Sequence, residues 1–232
     1  MFENHIKIGT TLDYPPFTYQ EVKTGQYLGF DIELIQTLTQ NIGITVEFIK
    51  TTWGSLESDL MHSLFEIAVG GISLTIDRRS QFLTSSAILS DQKAFLINKR
   101  HYSKINNLSD IDNPNIRVIV NHGGTNNQFV QNNIRRAKII TLQDNLLIFD
   151  KLARGEADVM ITDLCEANYR QRLDDRLYAI IPSSPLTNTI DYGYLFNSKH
   201  LKLYNMINAE LKSFMRKDDF KTLHAKFFSP YP

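Results

Sequence analysis

Ala157-Asp158-Val159-Met160-Ile161-Thr162-Asp163-Leu164-Cys165-Glu166-Ala167 is the stretch on which the reading of this chain turns. Its apolar run predicts a buried strand, and it ends in two acids three residues apart. In open α/β proteins ligands gather at the carboxyl ends of strands. One of the two acids, Asp163, can hold a charged ligand group. The other, Glu166, is then free for further work, proton donation included. With Arg78 and the Gly123-Gly124-Thr125-Asn126 turn, these acids suit a small zwitterion or dicarboxylate.

Outward from that stretch, strand and helix signals alternate. Ile6-Lys7-Ile8-Gly9-Thr10, Thr45-Val46-Glu47-Phe48-Ile49 and Ile67-Ala68-Val69-Gly70-Gly71-Ile72 read as strands. Between them, Ile32, Leu34, Ile35 and Leu38 recur at helical spacing, and a second helix holds Leu60, Met61 and Leu64. Tyr14-Pro15-Pro16-Phe17 reads as a rigid turn, because proline fixes φ and lacks an amide donor. The pattern then repeats. Arg117 to Asn121, Lys138 to Leu142 and Asp158 to Ile161 read as strands. Helices are predicted from Asn126 to Arg136, Leu146 to Arg154 and Glu166 to Leu173. Gly155 stands where a helix C-terminus favours glycine. Tyr192 to Phe196 reads as a returning strand, and two helices close the chain. This predicts an α/β fold of two lobes. Residues 1–92 and 191–232 form the first lobe and 93–190 the second, with crossovers near 91–99 and 184–192. Two lobes about a hinge predict a ligand closed between them, with Arg78 and Asp163 facing it.

Composition narrows the function classes. The 232 residues carry 25 Lys+Arg and 25 Asp+Glu, a formal charge of zero. That balance gives no electrostatic reason to expect nucleic acid or an anionic membrane. The single cysteine, Cys165, excludes an internal disulfide and has no metal or triad pattern around it. Six scattered histidines show no zinc spacing, so no metal is expected. There is no G-x-S-x-G elbow, P-loop or G-x-G-x-x-G. No apolar run approaches the roughly 20 residues of a membrane span. Met1-Phe2-Glu3-Asn4-His5 leads straight into a strand without the basic and apolar segments of a secretory signal. Either the protein stays in the cytoplasm or a signal has been removed ahead of Met1.

Each candidate residue has a plainer alternative. Arg78 offers a fork for a carboxylate, with Ser73 and Thr75 hydroxyls nearby; a surface arginine at a helix start is the plain reading. Gly124, Thr125 and Asn126 open a helix whose free amides attract an anion, or form an ordinary cap. Tyr14 and Trp53 can wall a ring-bearing ligand, or belong to the core. Asp163 also suits a helix cap, and Glu166 a first-turn acid favoured by the helix dipole. Lys93 also reads as a solvated hinge residue.

Taken in order, several motifs carry a resemblance. Tyr14-Pro15-Pro16-Phe17, Gly29-Phe30-Asp31, Trp53, Gly71-Ile72-Ser73-Leu74-Thr75 with Arg78, Gly124-Thr125, and Gly155-Glu156-Ala157-Asp158 followed by Asp163 resemble the polar amino-acid family of periplasmic solute-binding proteins. The likeness covers nearly the whole chain. It implies the two-lobed type II binding-protein fold and a periplasmic setting. It implies that Arg78, helped by Thr75 and Thr125, binds a ligand α-carboxylate, that Asp163 binds the α-ammonium, and that Tyr14 and Trp53 flank the side chain.

A narrower resemblance adds Thr10-Thr11-Leu12-Asp13-Tyr14, Val120-Asn121-His122-Gly123-Gly124-Thr125-Asn126, Asp144-Asn145 with Ile148-Phe149, and Met160-Ile161-Thr162-Asp163 with Glu166-Ala167. These look like the cyclohexadienyl dehydratases, enzymes on the same fold that convert prephenate to phenylpyruvate and arogenate to phenylalanine without a cofactor. The resemblance implies that Glu166 is the general acid, that Lys93 and Asn121 belong to the site, and that Asp13 lies with the ligand groups. His122 departs from the proline expected in that loop. The competing class is a transport receptor that delivers arginine or another polar amino acid to a membrane permease. For a cationic ligand Asp13 or Glu166 would supply the acid, and Thr11 stands where basic amino-acid binders usually place one.

Overall fold

The computed structural model describes residues 5–101 and 104–229. Residues 1–4, on which the reading of the N-terminus rests, lie outside them. The chain divides into two compact units. The first comprises Met1–Ser90 with Ile190–Pro232, and the second Asp91–Thr189.

The first unit is built on a sheet ordered Thr45–Lys50, His5–Thr10, Ile67–Ser73, Ile190–Phe196, Leu83–Thr84. The first three strands run parallel, and Ile190–Phe196 returns antiparallel to Ile67–Ser73, with Tyr192 opposite Ser73. All seven residues of Ile67–Ser73 are buried, as suits a strand covered on both faces. The helix Phe30–Asn41 lays Phe30, Ile32, Leu34, Ile35 and Leu38 into the core. The Tyr14-Pro15-Pro16-Phe17 turn is flanked by a small antiparallel sheet of Asp13–Tyr14, Thr18–Gln20 and Tyr27–Leu28. Gly71 has φ 65°, and a Cβ there would stand 2.6 Å from the Phe17 and Tyr14 rings, so only glycine fits.

Asp31 ties this unit together from within. Its Oδ2 accepts the Gly71 amide at 2.7 Å and its Oδ1 the Tyr194 hydroxyl at 3.1 Å. Burial raises its pKa from 3.8 to about 6, against the opposing pull of those hydrogen bonds. The folded state therefore binds the Asp31 proton more tightly than the unfolded chain does. The stability this confers is full below about pH 4 and is lost as pH rises through about 6. A shift of this size corresponds to roughly 3 kcal/mol. Urea unfolding of the parent and of Asp31→Asn at pH 4.5 and 7 should give a stability difference between the two proteins that changes by an amount of that order. A difference independent of pH would contradict the assignment.

The second unit repeats the plan. Its sheet is ordered Lys138–Leu142, Arg117–Asn121, Val159–Asp163, Lys93–Asn98, Leu177–Ile180. Again three strands run parallel and the next, Lys93–Asn98, is antiparallel. Side chains alternate between the faces. Ala94, Leu96, Ile119 and Met160 pack with Ile148, Phe149, Leu152 and Ala167 on one side. Phe95, Ile97, Val118, Val120, Val159 and Ile161 pack with Val130, Ile105 and Ile111 on the other. Gly155 closes the helix Leu146–Arg154 in the left-handed conformation, φ 73°.

Three elements differ from the sequence expectation. Residues 93–98, read as part of a crossover, form a fully buried strand of the second sheet. Leu177–Ile180, not assigned from sequence, is its edge strand. The helix after the glycine pair runs Gly124–Asn133 instead of Asn126 to Arg136. Three consecutive amides, from Arg135 to Ala137, turn instead to the Asp112 carboxylate.

Candidate functional site

The first unit gathers its candidates at the end of Ile67–Ser73. Ser73 closes that strand, and Thr75 caps the short helix Ile76–Gln81 by accepting the Arg78 amide at 3.2 Å. The Arg78 side chain folds back under this turn and is 5% exposed. Its Nη1 donates to the Ser73 carbonyl at 2.9 Å, and its Nε to Glu57 Oε1 at 2.9 Å. Ser73 thus meets Arg78 through its backbone, and Thr75 through its cap. Glu57 was not singled out from sequence. It lies 21 residues from Arg78 and carries no local signal.

Asp13 and Trp53 also meet in this unit. The Trp53 indole Nε1 donates to Asp13 Oδ1 at 3.1 Å. Burial pushes the Asp13 carboxyl up from its ordinary range, while hydrogen bonds from Thr11 and Trp53 pull it down. Tyr14 is buried, stacked on Phe17 with centroids 5.3 Å apart and edge-on to Trp53 at 5.5 Å. Tyr14 is thus packed within the aromatic group of this unit.

The second unit assembles its candidates at the carboxyl ends of its parallel strands. Register does the first part. Lys93 opens its antiparallel strand directly opposite Asp163, which closes its own. The Lys93 Nζ donates to Asp163 Oδ1 at 3.1 Å, and both side chains are buried. A buried charge pair needs further hydrogen bonds to offset desolvation. Lys93 makes one, to Asn126 Oδ1 at 2.5 Å. Asn126 stands in the first turn of Gly124–Asn133 and donates through Nδ2 to Thr162 Oγ1 at 3.2 Å. Thr162 in turn donates to Glu166 Oε2 at 2.5 Å. Glu166 is fully buried.

Other groups complete this cluster. Asn121 donates to the Gly123 carbonyl at 3.2 Å and so braces the turn that presents Gly124 and Thr125 at the helix start. Gly123 and Gly124 have φ of 78° and 73°, which the doubled glycine permits. Arg170, one turn beyond Glu166, places its Nη2 4.0 Å from Glu166 Oε1 and its guanidinium 3.5 Å over the Phe149 ring. Cys165 donates its amide to Asp91 Oδ2 at 2.9 Å. Burial, then the neighbouring acids Asp91, Asp163 and Glu166, push its thiol well above the ordinary range. Among the described residues no group of three His, Cys, Asp or Glu side chains is arranged to hold a metal ion.

Sequence reasoning therefore named Lys93, Asn126, Asp163 and Glu166, which the structure brings into one connected chain. It missed Thr162 and Arg170 as members. Arg170 had a signal in its spacing, four residues past Glu166 on the same helix, the separation at which helical neighbours meet.

The pattern of the bacterial extracellular solute-binding proteins, family 3, matches residues 6–230. The chain is 36% identical over 180 residues to the cyclohexadienyl dehydratase of Pseudomonas aeruginosa, covering 78% of this chain and 67% of that one. It is 22% identical over 226 residues to an arginine-binding extracellular protein of Bacillus subtilis, covering 96% of this chain and 85% of that one. The crystal structure of an ancestral amino-acid-binding protein, a precursor of cyclohexadienyl dehydratase, superposes with a TM-score of 0.89 at 29% identity. That match covers 97% of this chain and 96% of the other. The α/β fold is the type II periplasmic-binding-protein fold expected from the sequence. With the family pattern spanning nearly every residue and the fold matched along the same length, the chain belongs to the bacterial extracellular solute-binding proteins of family 3.

Proposed function

We propose that this member of the family is a carbon–oxygen lyase of the cyclohexadienyl dehydratase type. It converts prephenate to phenylpyruvate, and arogenate to phenylalanine. One proton is taken up by the ring hydroxyl, water leaves, the ring carboxylate departs as carbon dioxide, and the ring becomes aromatic. Aromatisation supplies the driving force, so a positioned acid and anion grips suffice without a cofactor. Glu166 is the general acid. Arg78, with Thr75, grips one carboxylate. Lys93 holds the other or orients the hydroxyl, and Asn121 and Gly124 shape the turn beside it. Too tight a grip on the departing carboxylate would slow the step, because only interactions stronger in the transition state accelerate it.

One observation carries this reading over amino-acid transport. In an amino-acid receptor, the Asp163 position would meet the ligand's α-ammonium. Here the Lys93 ammonium already neutralises Asp163 at 3.1 Å. An ammonium-bearing ligand must compete with Lys93, whereas the keto acid prephenate has no such group to place. The same reasoning ranks prephenate above arogenate. The likeness to the Pseudomonas aeruginosa enzyme supports the assignment independently.

The second reading, an amino-acid-binding component that serves a membrane permease, draws on the arginine-binding relative and on Asp13 as an acid for a cationic side chain. Either activity belongs in the periplasm. Thermal unfolding with a panel of prephenate, arginine, histidine and glucose separates the two. A ligand of the native state raises the midpoint by mass action. Stabilisation by prephenate, together with release of phenylpyruvate, supports the enzyme. Stabilisation by arginine alone, with no product, supports the receptor.

A further inference from the structure

Thr162 has no role in the mechanism above, yet it occupies the middle of the polar chain in the second unit. We infer that Thr162 is a positioning residue that fixes which oxygen of Glu166 carries a proton. The inference deepens the proposed dehydration and rests on Glu166 as its acid.

Hydrogen-bond polarity runs along this chain from Lys93. An ammonium has donors only. Asn126 must therefore turn its carbonyl Oδ1 toward Lys93 Nζ, at 2.5 Å. Its amide Nδ2 is then left facing Thr162 and donates to Oγ1 at 3.2 Å. With that lone pair occupied, the single hydroxyl proton of Thr162 goes to Glu166 Oε2, at 2.5 Å. Oε2 is thereby held as an acceptor, which leaves Oε1, beyond hydrogen-bond range of Arg170 Nη2 at 4.0 Å, as the oxygen that carries a proton when Glu166 is protonated. The charge on Lys93 sets the direction of every bond in the chain.

Burial makes the order rigid. Lys93, Asn126, Thr162 and Glu166 are all buried, and Thr162 and Glu166 have no exposed surface. Reversing any one member would leave two donors or two acceptors face to face away from water, which is costly in such surroundings. Thr162 is also the penultimate residue of the buried Val159–Asp163 strand, where a β-branched residue has few rotamers to choose from. An acid whose proton wandered between its two oxygens would be aimed correctly only part of the time. The Thr162 hydroxyl removes that freedom without touching the substrate.

Four variants test this. Thr162→Val keeps the shape and removes the hydroxyl, whereas Thr162→Ser keeps the hydroxyl. Thr162→Val should lower kcat on prephenate by about tenfold or more, the range of one hydrogen bond to a chargeable group, with KM nearly unchanged. Thr162→Ser should retain most of the parental kcat. Thermal unfolding of Thr162→Val, Glu166→Met and their combination should show a smaller loss in the double variant than the sum of the single losses. Parental kcat in Thr162→Val, or an equal fall in a folded Thr162→Ser, would overturn the inference while leaving the dehydratase reading intact. Absence of turnover in the parent would overturn the catalytic role together with that reading. Strictly additive unfolding losses would overturn the hydrogen-bond coupling itself.

Discussion

Glu166→Gln is expected to lower prephenate turnover by about 10²–10⁴-fold, the usual contribution of a positioned general acid, while leaving prephenate affinity within a few-fold of the parent. The amide keeps the size of the carboxyl group, and its carbonyl can still accept the Thr162 hydroxyl that meets Oε2 at 2.5 Å. What it lacks is a transferable proton. The two changes therefore separate chemistry from binding. Steady-state kinetics on the variant, with calorimetry for affinity, provide the check. Turnover undiminished in Glu166→Gln would keep the enzyme and assign its acid elsewhere. Affinity lost together with turnover would make Glu166 a binding group.

Arg78→Ala is expected to remove most affinity for any carboxylate ligand, by about 2–5 kcal/mol, the typical effect of truncating one partner of a buried charge pair. That is roughly 30-fold to several thousand-fold in Kd. The fold should tolerate the change. Glu57, which accepts from Arg78 Nε, has a side chain 40% exposed and can be rehydrated when its partner is gone. Arg78→Lys should fall between the two, since it keeps the charge and loses the planar fork. Calorimetry with prephenate on a folded Arg78→Ala protein tests this. Unchanged affinity would remove Arg78 from the ligand.

Strands that are buried on both faces announce themselves as short apolar runs, which is why Ile67–Ser73, Arg117–Asn121 and Val159–Asp163 were legible from the sequence. Lys93–Asn98 has the same character but begins with a lysine next to the boundary between units, so its run read as a connection. Leu177–Ile180 is a four-residue edge strand beside Asp174 and Asp175, too short for a clear period. The two- and three-residue strands around Tyr14 depend on pairing with one another and leave no pattern at all. The site shows the same division. Types and local spacing pointed to Asp163, Glu166 and Asn126, and the family resemblance to Lys93. That Lys93 lies opposite Asp163 is a fact of register between strands 70 residues apart in sequence. Thr162 gave no sign beyond a hydroxyl at the end of an apolar strand. Glu57 met Arg78 only through tertiary packing.

The central claim is that this solute-binding fold performs a reaction, and one measurement reaches it most directly. Purified protein is given prephenate at neutral pH, and phenylpyruvate is followed with time against a protein-free control, with and without excess arginine. The dehydratase account predicts many equivalents of phenylpyruvate per protein molecule and a rate little changed by arginine, because Lys93 already balances Asp163. A rate no greater than the control, from protein that binds arginine tightly, would contradict it and leave a transport receptor.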